Sequence, residues 1–119
     1  MSRALLFLVL ALTASCGFAG EADVVAVKPT RESDHRWRFD VTIKSNDKGW
    51  NYYADAFEVL SPAGVLLGRR ILLHPHETEQ PFTRELTGVV IPPEVKTVVV
   101  RARHKPRGYD GETLTVELR

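Results

Sequence analysis

The 119-residue sequence is sized for a single domain, with 44% hydrophobic and 26% charged residues, an ordinary globular composition. Its 16 basic and 15 acidic side chains leave a formal charge of +1, so no global field attracts nucleic acid, and no nucleic-acid partner is expected. The sequence contains one cysteine, which excludes an intrachain disulfide bond.

The N-terminal segment has the layout of a secretory signal peptide. Arg3 precedes an apolar run over residues 4–12, and small residues follow as far as Gly20. The apolar run is about half of the roughly 20 residues that a transmembrane helix needs, so no transmembrane segment is expected. The pattern predicts a signal peptide over residues 1–19, a mature domain over residues 20–119, and a periplasmic or secreted location.

The position of cleavage decides the fate of Cys16. Small residues at Gly17 and Ala19 fit the general signal peptidase and would leave a mature chain without cysteine. The alternative is a lipobox over residues 13–16, with a lipid anchor on Cys16. Thr13 then stands where a lipobox usually has Leu, Val or Ile, so the unlipidated form is favoured.

From Ala22 onward the hydrophobic pattern has a period of two, which indicates β-strands. A first strand is predicted over residues 23–28 and is expected to end at Pro29. A second, over 36–44, alternates strictly, which places Trp37 on a buried face. A third, over 52–60, is apolar on both faces and is therefore expected to be central in a sheet.

Four further strands are predicted in the second half of the sequence, over residues 65–73, 82–90, 96–104 and 113–118. Gly68 is expected to mark a β-bulge in the fourth strand. Seven strands without a helical pattern predict an all-β fold, a seven-stranded antiparallel sandwich like those of immunoglobulin or fibronectin type III domains.

If successive strands run antiparallel, alternate connections emerge at the same end of the sandwich. Loops 45–51, 74–80 and 105–111 should therefore cluster at one end. They carry most of the polar, aromatic and imidazole groups outside the strands, and end loops commonly make contacts in sandwich folds. The candidate binding residues are Trp50, Asn51, His74, His76, Glu79, Arg107, Tyr109 and Asp110.

The segment His74-Pro75-His76 admits two interpretations. Imidazoles two residues apart across a proline can face the same side of a loop and ligate zinc or copper. The structural alternative is that His74 hydrogen-bonds to backbone or to Asp110 and locks the loop. Because His76 lies beyond the proline at the loop tip, it is expected to be the more exposed histidine.

Catalysis is not expected, because the sequence offers no nucleophile in a recognisable setting. Ser45 lies in a plain turn without an elbow such as G-x-S-x-G, and Glu79 and Asp110 are loop acids of the kind that is more often solvated than catalytic. A basic stripe without interleaved aromatic residues is interpreted as a solvated face. Its members are Arg101, Arg103, Lys105 and Arg107.

Several segments together resemble a family of small secreted bacterial proteins with no assigned function. They are Trp50, Y-A-D-A-F-E-V-L at 53–60, L-G-R-R at 67–70, H-P-H at 74–76, Q-P-F-T-R at 80–84 and Gly108-Tyr109. The resemblance covers the whole mature domain and implies secretion and a single domain, but no activity. That family has a histidine before the Gly-Tyr pair, where this sequence has Arg107, so a histidine-rich ligand set is weaker here.

The favoured interpretation is a secreted β-sandwich binding or interaction module, with an unidentified protein or small ligand as partner. The alternative is a metal-binding or metal-delivery protein that uses His74 and His76.

Overall fold

The computed structural model describes residues 20–119, so the expected signal peptide and Cys16 lie outside the described residues. Across the described part the chain forms seven strands. They are β1 Ala22–Ser33, β2 Arg36–Ser45, β3 Tyr53–Leu60, β4 Leu66–Ile71, β5 Phe82–Val90, β6 Thr97–Lys105 and β7 Leu114–Glu117. A search of the same residues for a helix long and apolar enough to cross a membrane finds none.

The strands form two sheets, and every pairing within them is antiparallel. One sheet has the order β1-β2-β5, and the other has the order β4-β3-β6-β7. This arrangement confirms the predicted seven-stranded antiparallel sandwich. It also confirms that β3 is central, because β3 pairs with β4 on one side and with β6 on the other.

The core lies between the inner faces of the two sheets. Alternate residues of β2, from Trp37 to Ile43, are buried, as the strict alternation predicts. They belong to the same apolar cluster as Phe57 of β3 and Val100 of β6. Burying each large side chain of this kind contributes about 1.5–3 kcal/mol.

A close approach between the sheets explains the glycine in β4. A Cβ atom at Gly68 would lie 3.0 Å from Cδ2 of Leu86, on the facing sheet. The pairing of β3 with β4 also shifts register between Val59 and Leu60, beside Gly68, so the predicted bulge is confirmed.

The predicted end of the first strand is wrong, because β1 continues through Pro29 to Ser33. Pro29 lies opposite Phe39 of β2, and β1 has no other partner strand in its sheet. A proline lacks an N–H group, which an edge strand tolerates on the side that faces solvent.

Antiparallel pairing divides the connections between two ends. Those that follow β2, β4 and β6 emerge at one end, called here the loop end. Those that follow β1, β3 and β5 emerge at the opposite end. The three loops singled out in the sequence thus belong to the loop end.

Candidate functional site

Asp47 joins loop 45–51 to loop 74–80. Its side chain is fully buried. It accepts hydrogen bonds from Oγ of Ser45 at 2.7 Å, the backbone N–H of Ala54 at 3.0 Å and the backbone N–H of His76 at 2.8 Å. A short carboxylate that captures nearby backbone donors is typical of loop starts. One side chain thus fixes both loops.

Gln80 makes a second connection between the same loops. Its side-chain oxygen accepts from the backbone N–H of Ser45 at 2.8 Å, and its side-chain nitrogen donates to the carbonyl oxygen of His76 at 2.9 Å. Gln80 therefore ties its end of loop 74–80 to the end of β2 and also braces the middle of its own loop.

Glu21 joins loop 45–51 to loop 105–111. Its carboxylate accepts from the hydroxyl of Tyr52 at 2.7 Å and from the amide of Asn46 at 3.0 Å, while its backbone N–H donates to Asp110 at 3.1 Å. The hydrogen bonds from Tyr52 and Asn46 lower the pKa of Glu21. Sequence reasoning did not single out Glu21, since it precedes the first strand and no local motif marks it.

His76 is buried, with 5% of its surface exposed, whereas His74 is exposed. The prediction that His76 is the more exposed histidine is therefore wrong. Asp47 holds the backbone N–H of His76, and the imidazole stacks on Phe82 at 4.0 Å between ring centroids and 11° between planes. Local sequence cannot show this, because Asp47 lies in a different loop.

The environment of His76 favours its neutral form. Burial is the main cause of its lowered pKa, and the positive charges of Arg84 and His74 add to the shift. Neither ring nitrogen has a hydrogen-bond partner within the described residues. The His76 ring therefore contributes mainly through its stacking on Phe82, and its two nitrogen atoms are without hydrogen bonds to the described residues.

The two histidines lie side by side but lack further ligands. Their ring centroids are 4.6 Å apart. Nδ1 of His76 is 4.0 Å from Oδ2 of Asp47, but both oxygens of that carboxylate already accept hydrogen bonds from backbone N–H groups. In residues 20–119, no group of three or more His, Cys, Asp or Glu side chains is arranged to hold a metal ion.

The charged candidates in the loops form surface ion pairs. Glu79 pairs with Arg84 at 3.0 Å, and Nε of Arg107 lies 3.5 Å from Oδ2 of Asp110. The hydrogen bonds from Arg84 lower the pKa of Glu79. Exposed pairs of this kind contribute about 0–1 kcal/mol, so their charges remain accessible to a partner.

Trp50 and Tyr109 present large aromatic surfaces to solvent. Trp50 is 62% exposed, and its ring contacts Tyr53 edge to face at 5.9 Å. Tyr109 is 41% exposed and lies against the guanidinium of Arg101, 3.8 Å from the ring centroid. The basic stripe is therefore not an isolated solvated face, because an aromatic ring of loop 105–111 covers part of it.

Glu58 holds this part of the surface in place. Although it lies on the outer face of the four-stranded sheet, it is 0% exposed, because Arg69, Arg101 and Tyr109 enclose its carboxylate. Nε of Arg69 donates at 2.7 Å, Nε of Arg101 at 2.8 Å and the hydroxyl of Tyr109 at 3.0 Å. The sequence held one signal for this residue, an acid with apolar residues on either side of it in β3.

Opposing influences act on the pKa of Glu58. Burial by itself raises it, but the hydrogen bonds from Arg69, Arg101 and Tyr109 outweigh that effect, and the pKa lies below its ordinary value. Glu58 is therefore an ionised carboxylate shielded by cations and a phenol. The cluster fixes the position of the ring of Tyr109.

Register places further apolar and cationic groups on the same outer face. Ile71 and Arg103 flank Ala56 across neighbouring strands, just as Arg69 and Arg101 flank Glu58. Ile71 and Leu73, two residues further on, are among the most exposed large hydrophobic side chains. We call this set the aromatic–arginine surface, and its members are Trp50, Tyr53, Ile71, Leu73, Arg101, Arg103 and Tyr109.

Comparison with known proteins finds one curated relative. It is a protein described as "Putative lipoprotein" from Halomicrobium mukohataei, 40% identical over 97 residues, which are 82% of this chain and 47% of that protein. The chain thus spans about half the length of the curated relative it matches. No family model matches the sequence, and no solved structure matches it.

Proposed function

We propose that this chain is an extracytoplasmic binding module whose contacts are made by the loop end and the adjoining aromatic–arginine surface. The observation that carries the proposal is that exposed Trp50, Leu73 and Tyr109 all lie in loop-end connections, and that Tyr109 packs on Arg101. Aromatic residues and arginine are enriched among residues that dominate binding energy in protein interfaces.

The extracytoplasmic location rests on two supports. The relative from Halomicrobium mukohataei is described as a lipoprotein, and the first 19 residues have the pattern of an export signal. The description of that relative as a lipoprotein also supports the alternative of a lipid anchor at Cys16 in place of cleavage after Ala19. Both routes deliver the described domain outside the cytoplasm.

Rigidity of the surface supports binding. Tyr109 is held by Glu58 and Arg101, and Asp47 fixes the loops next to Trp50. A partner that docks on groups already in position loses less conformational entropy than one that must order them. We infer that His76 serves binding indirectly, by fixing loop 74–80, while His74, Asn51 and Arg107 remain accessible for contact.

Site-specific photocrosslinking in the native host tests the proposal. A photoreactive amino acid placed at Trp50, Leu73 or Tyr109 should give the same discrete adduct, because the three positions share one surface. Matched controls are Val25 and Val90, which are exposed hydrophobic positions on the other sheet. The proposal fails if Val25 and Val90 give that adduct as strongly, or if only they give one.

We propose metal binding by His74 and His76 as the second candidate function. The supporting observation is that the rings lie 4.6 Å apart and that, among residues 20–119, neither nitrogen of the His76 ring has a hydrogen-bond partner. Two imidazoles supply half of a four-coordinate zinc site, so a partner or solvent would complete the coordination. This arrangement suits delivery of zinc or copper better than tight storage.

Elemental mass spectrometry on protein purified without a histidine tag tests the metal proposal. Stoichiometric zinc or copper that disappears in the His74→Ala/His76→Ala double variant supports it. The control is His35→Ala, because His35 lies at the opposite end. Equal metal content in all three proteins, or none in any, removes this candidate.

A further inference from the structure

A cleft of about 270 Å³ opens at the opposite end of the sandwich. It lies between the β1–β2 hairpin, the connection between β5 and β6, and the residues that follow β7. Trp37, Ile91 and Leu118 contribute apolar surface, and Arg31, His35 and Lys96 contribute nitrogen groups. No sequence pattern predicted a cleft at this end.

Backbone hydrogen bonds connect the segments around the cleft. The N–H of Ile91 donates to the carbonyl oxygen of His35 at 2.8 Å, and the N–H of Leu118 donates to that of Lys96 at 3.0 Å. Trp37 and Ile91 are buried, so they are anchored in the core. The cleft is thus formed by the fold itself, as most small-molecule sites are.

The ionisable side chains that line the cleft are all nitrogen bases. They are arginine, lysine and histidine side chains, and none of the lining residues is Asp or Glu. The guanidinium of Arg31 lies 5.9 Å from the centroid of the Trp37 ring. Within residues 20–119, neither Arg31 nor Lys96 forms an ion pair, whereas Arg119 at the rim pairs with Glu117.

We propose that this cleft binds a small amphiphilic carboxylate. Its apolar body would lie against Trp37, Ile91 and Leu118, and its carboxylate would face Arg31 and Lys96. Charge complementarity selects the anion, because the side chains of Arg31 and Lys96 offer charged donors and no lining residue is Asp or Glu.

The size of the cleft limits the ligand. A volume of about 270 Å³ lies just below the roughly 300–1,000 Å³ of pockets that hold drug-sized ligands. It therefore accommodates a short acyl chain or one aromatic ring, and a long-chain lipid would extend into solvent. Octanoate is a suitable probe, and octanamide is its neutral isostere.

Titration of the isotope-labelled full chain by nuclear magnetic resonance tests the proposal. Octanoate should shift the indole resonance of Trp37 and the backbone amide of Ile91 saturably, and it should bind at least fivefold more tightly than octanamide. Arg31→Ala and Lys96→Ala should each weaken octanoate binding roughly five- to tenfold and leave octanamide unchanged, because each removes one charge-assisted contact. Both side chains are exposed, so these variants should fold.

Lys28→Ala is the matched control, because it removes an exposed cation from β1 that does not line the cleft. Three results would overturn the proposal. They are equal affinity for octanoate and octanamide, equal losses in Arg31→Ala and Lys28→Ala, and no saturable shift up to about 10 mM ligand. The cleft and the aromatic–arginine surface lie at different ends, so either proposal can fail without the other.

Discussion

Two carboxylates, Asp47 at the loop end and Glu58 on the outer face, are fully buried yet differ in their partners. Asp47 accepts from a hydroxyl and two backbone N–H groups. Glu58 accepts from two guanidiniums and a phenol. The difference shows that burial alone does not tell what a polar residue does.

When the accepting carboxylate is removed, backbone N–H donors stay where the fold holds them, whereas long side-chain donors can rotate into solvent. The N–H groups that Asp47 satisfies belong to Ala54 of β3 and to His76 of loop 74–80, so their loss of an acceptor destabilises the fold. The arginines around Glu58 are roughly one-third to one-half exposed and can turn to water. Asp47 therefore organises the scaffold, and Glu58 organises a surface.

The largest expected effect is on stability in Asp47→Ala. Two buried backbone donors lose their acceptor at about 1–3 kcal/mol each, so the free energy of unfolding should fall by about 2–6 kcal/mol. Urea denaturation measures the loss. The control is Asp40→Ala, whose carboxylate pairs with Arg38 near the surface and should cost less than about 1 kcal/mol. Similar losses in both variants would contradict the role assigned to Asp47.

A smaller effect is expected from Glu58→Gln. The side chain keeps its shape but loses charge-assisted bonds to Arg69 and Arg101, which should lower the free energy of unfolding by about 1–2 kcal/mol. Hydrogen exchange in loop 105–111 should accelerate, because Tyr109 is less firmly held. An unchanged exchange rate would show that Glu58 does not position Tyr109.

The same variant has a defined pH dependence. The pKa of Glu58 is lowered in the folded protein, so its ionised form adds stability above the ordinary value of about 4.3 and that stability is lost as pH falls through the lower folded value. The stability gap between the native protein and Glu58→Gln should therefore close in acid. The difference should shrink by about 1.4 kcal/mol for each unit by which the pKa of Glu58 is lowered. A difference that stays constant down to pH 3 would contradict the conclusion that Glu58 is ionised in the folded protein.

The fold was predictable from sequence because its signals are local. Strict alternation in β2 places Trp37 in the core, and turn residues separate the strands. The error at Pro29 arose because the sequence does not show that β1 is an edge strand. That property depends on which strands pair, and pairing is decided over the whole chain.

The site was less predictable because its geometry depends on distant partners. His76 is buried through a contact with Asp47, 29 residues away, and Tyr109 is positioned by Glu58, 51 residues away. The grouping of three loops followed from strand alternation alone. The direction of each side chain did not, since it is set by contacts between loops that no periodicity encodes.

The smallest expected effect on stability is that of replacing His76. This variant tests whether Asp47 acts on the backbone of His76 and not on its ring. Asp47 binds the backbone of His76 and leaves its ring neutral and without hydrogen bonds. In His76→Phe the N–H group bound by Asp47 remains, and a phenyl ring can keep the stack on Phe82. We expect stability at pH 7.5 to change by less than about 1.5 kcal/mol, as in other substitutions that conserve volume.

The pH dependence of that variant gives the sharper result. The pKa of His76 is lowered in the folded protein by burial and by Arg84 and His74, against opposing contributions from Asp47 and Glu79. As pH falls below the ordinary value of about 6.5, the unfolded chain takes up a proton that the folded chain does not, so the native protein loses up to about 1.4 kcal/mol per pH unit. The loss ends at the lower, folded pKa.

Urea midpoints at pH 7.5, 6.5 and 5.5 should therefore fall more steeply for the native protein than for His76→Phe. His74→Gln is the comparison variant, because it keeps the imidazole of His76 and removes only one of the positive charges that lower its pKa, so its slope should lie between those of the native protein and His76→Phe. Parallel curves for the native protein and His76→Phe would mean that the ring is protonated in the folded state. Asp47 would then interact with the imidazolium of His76 as well as with its backbone N–H group. Its partners would differ less from the cationic partners of Glu58.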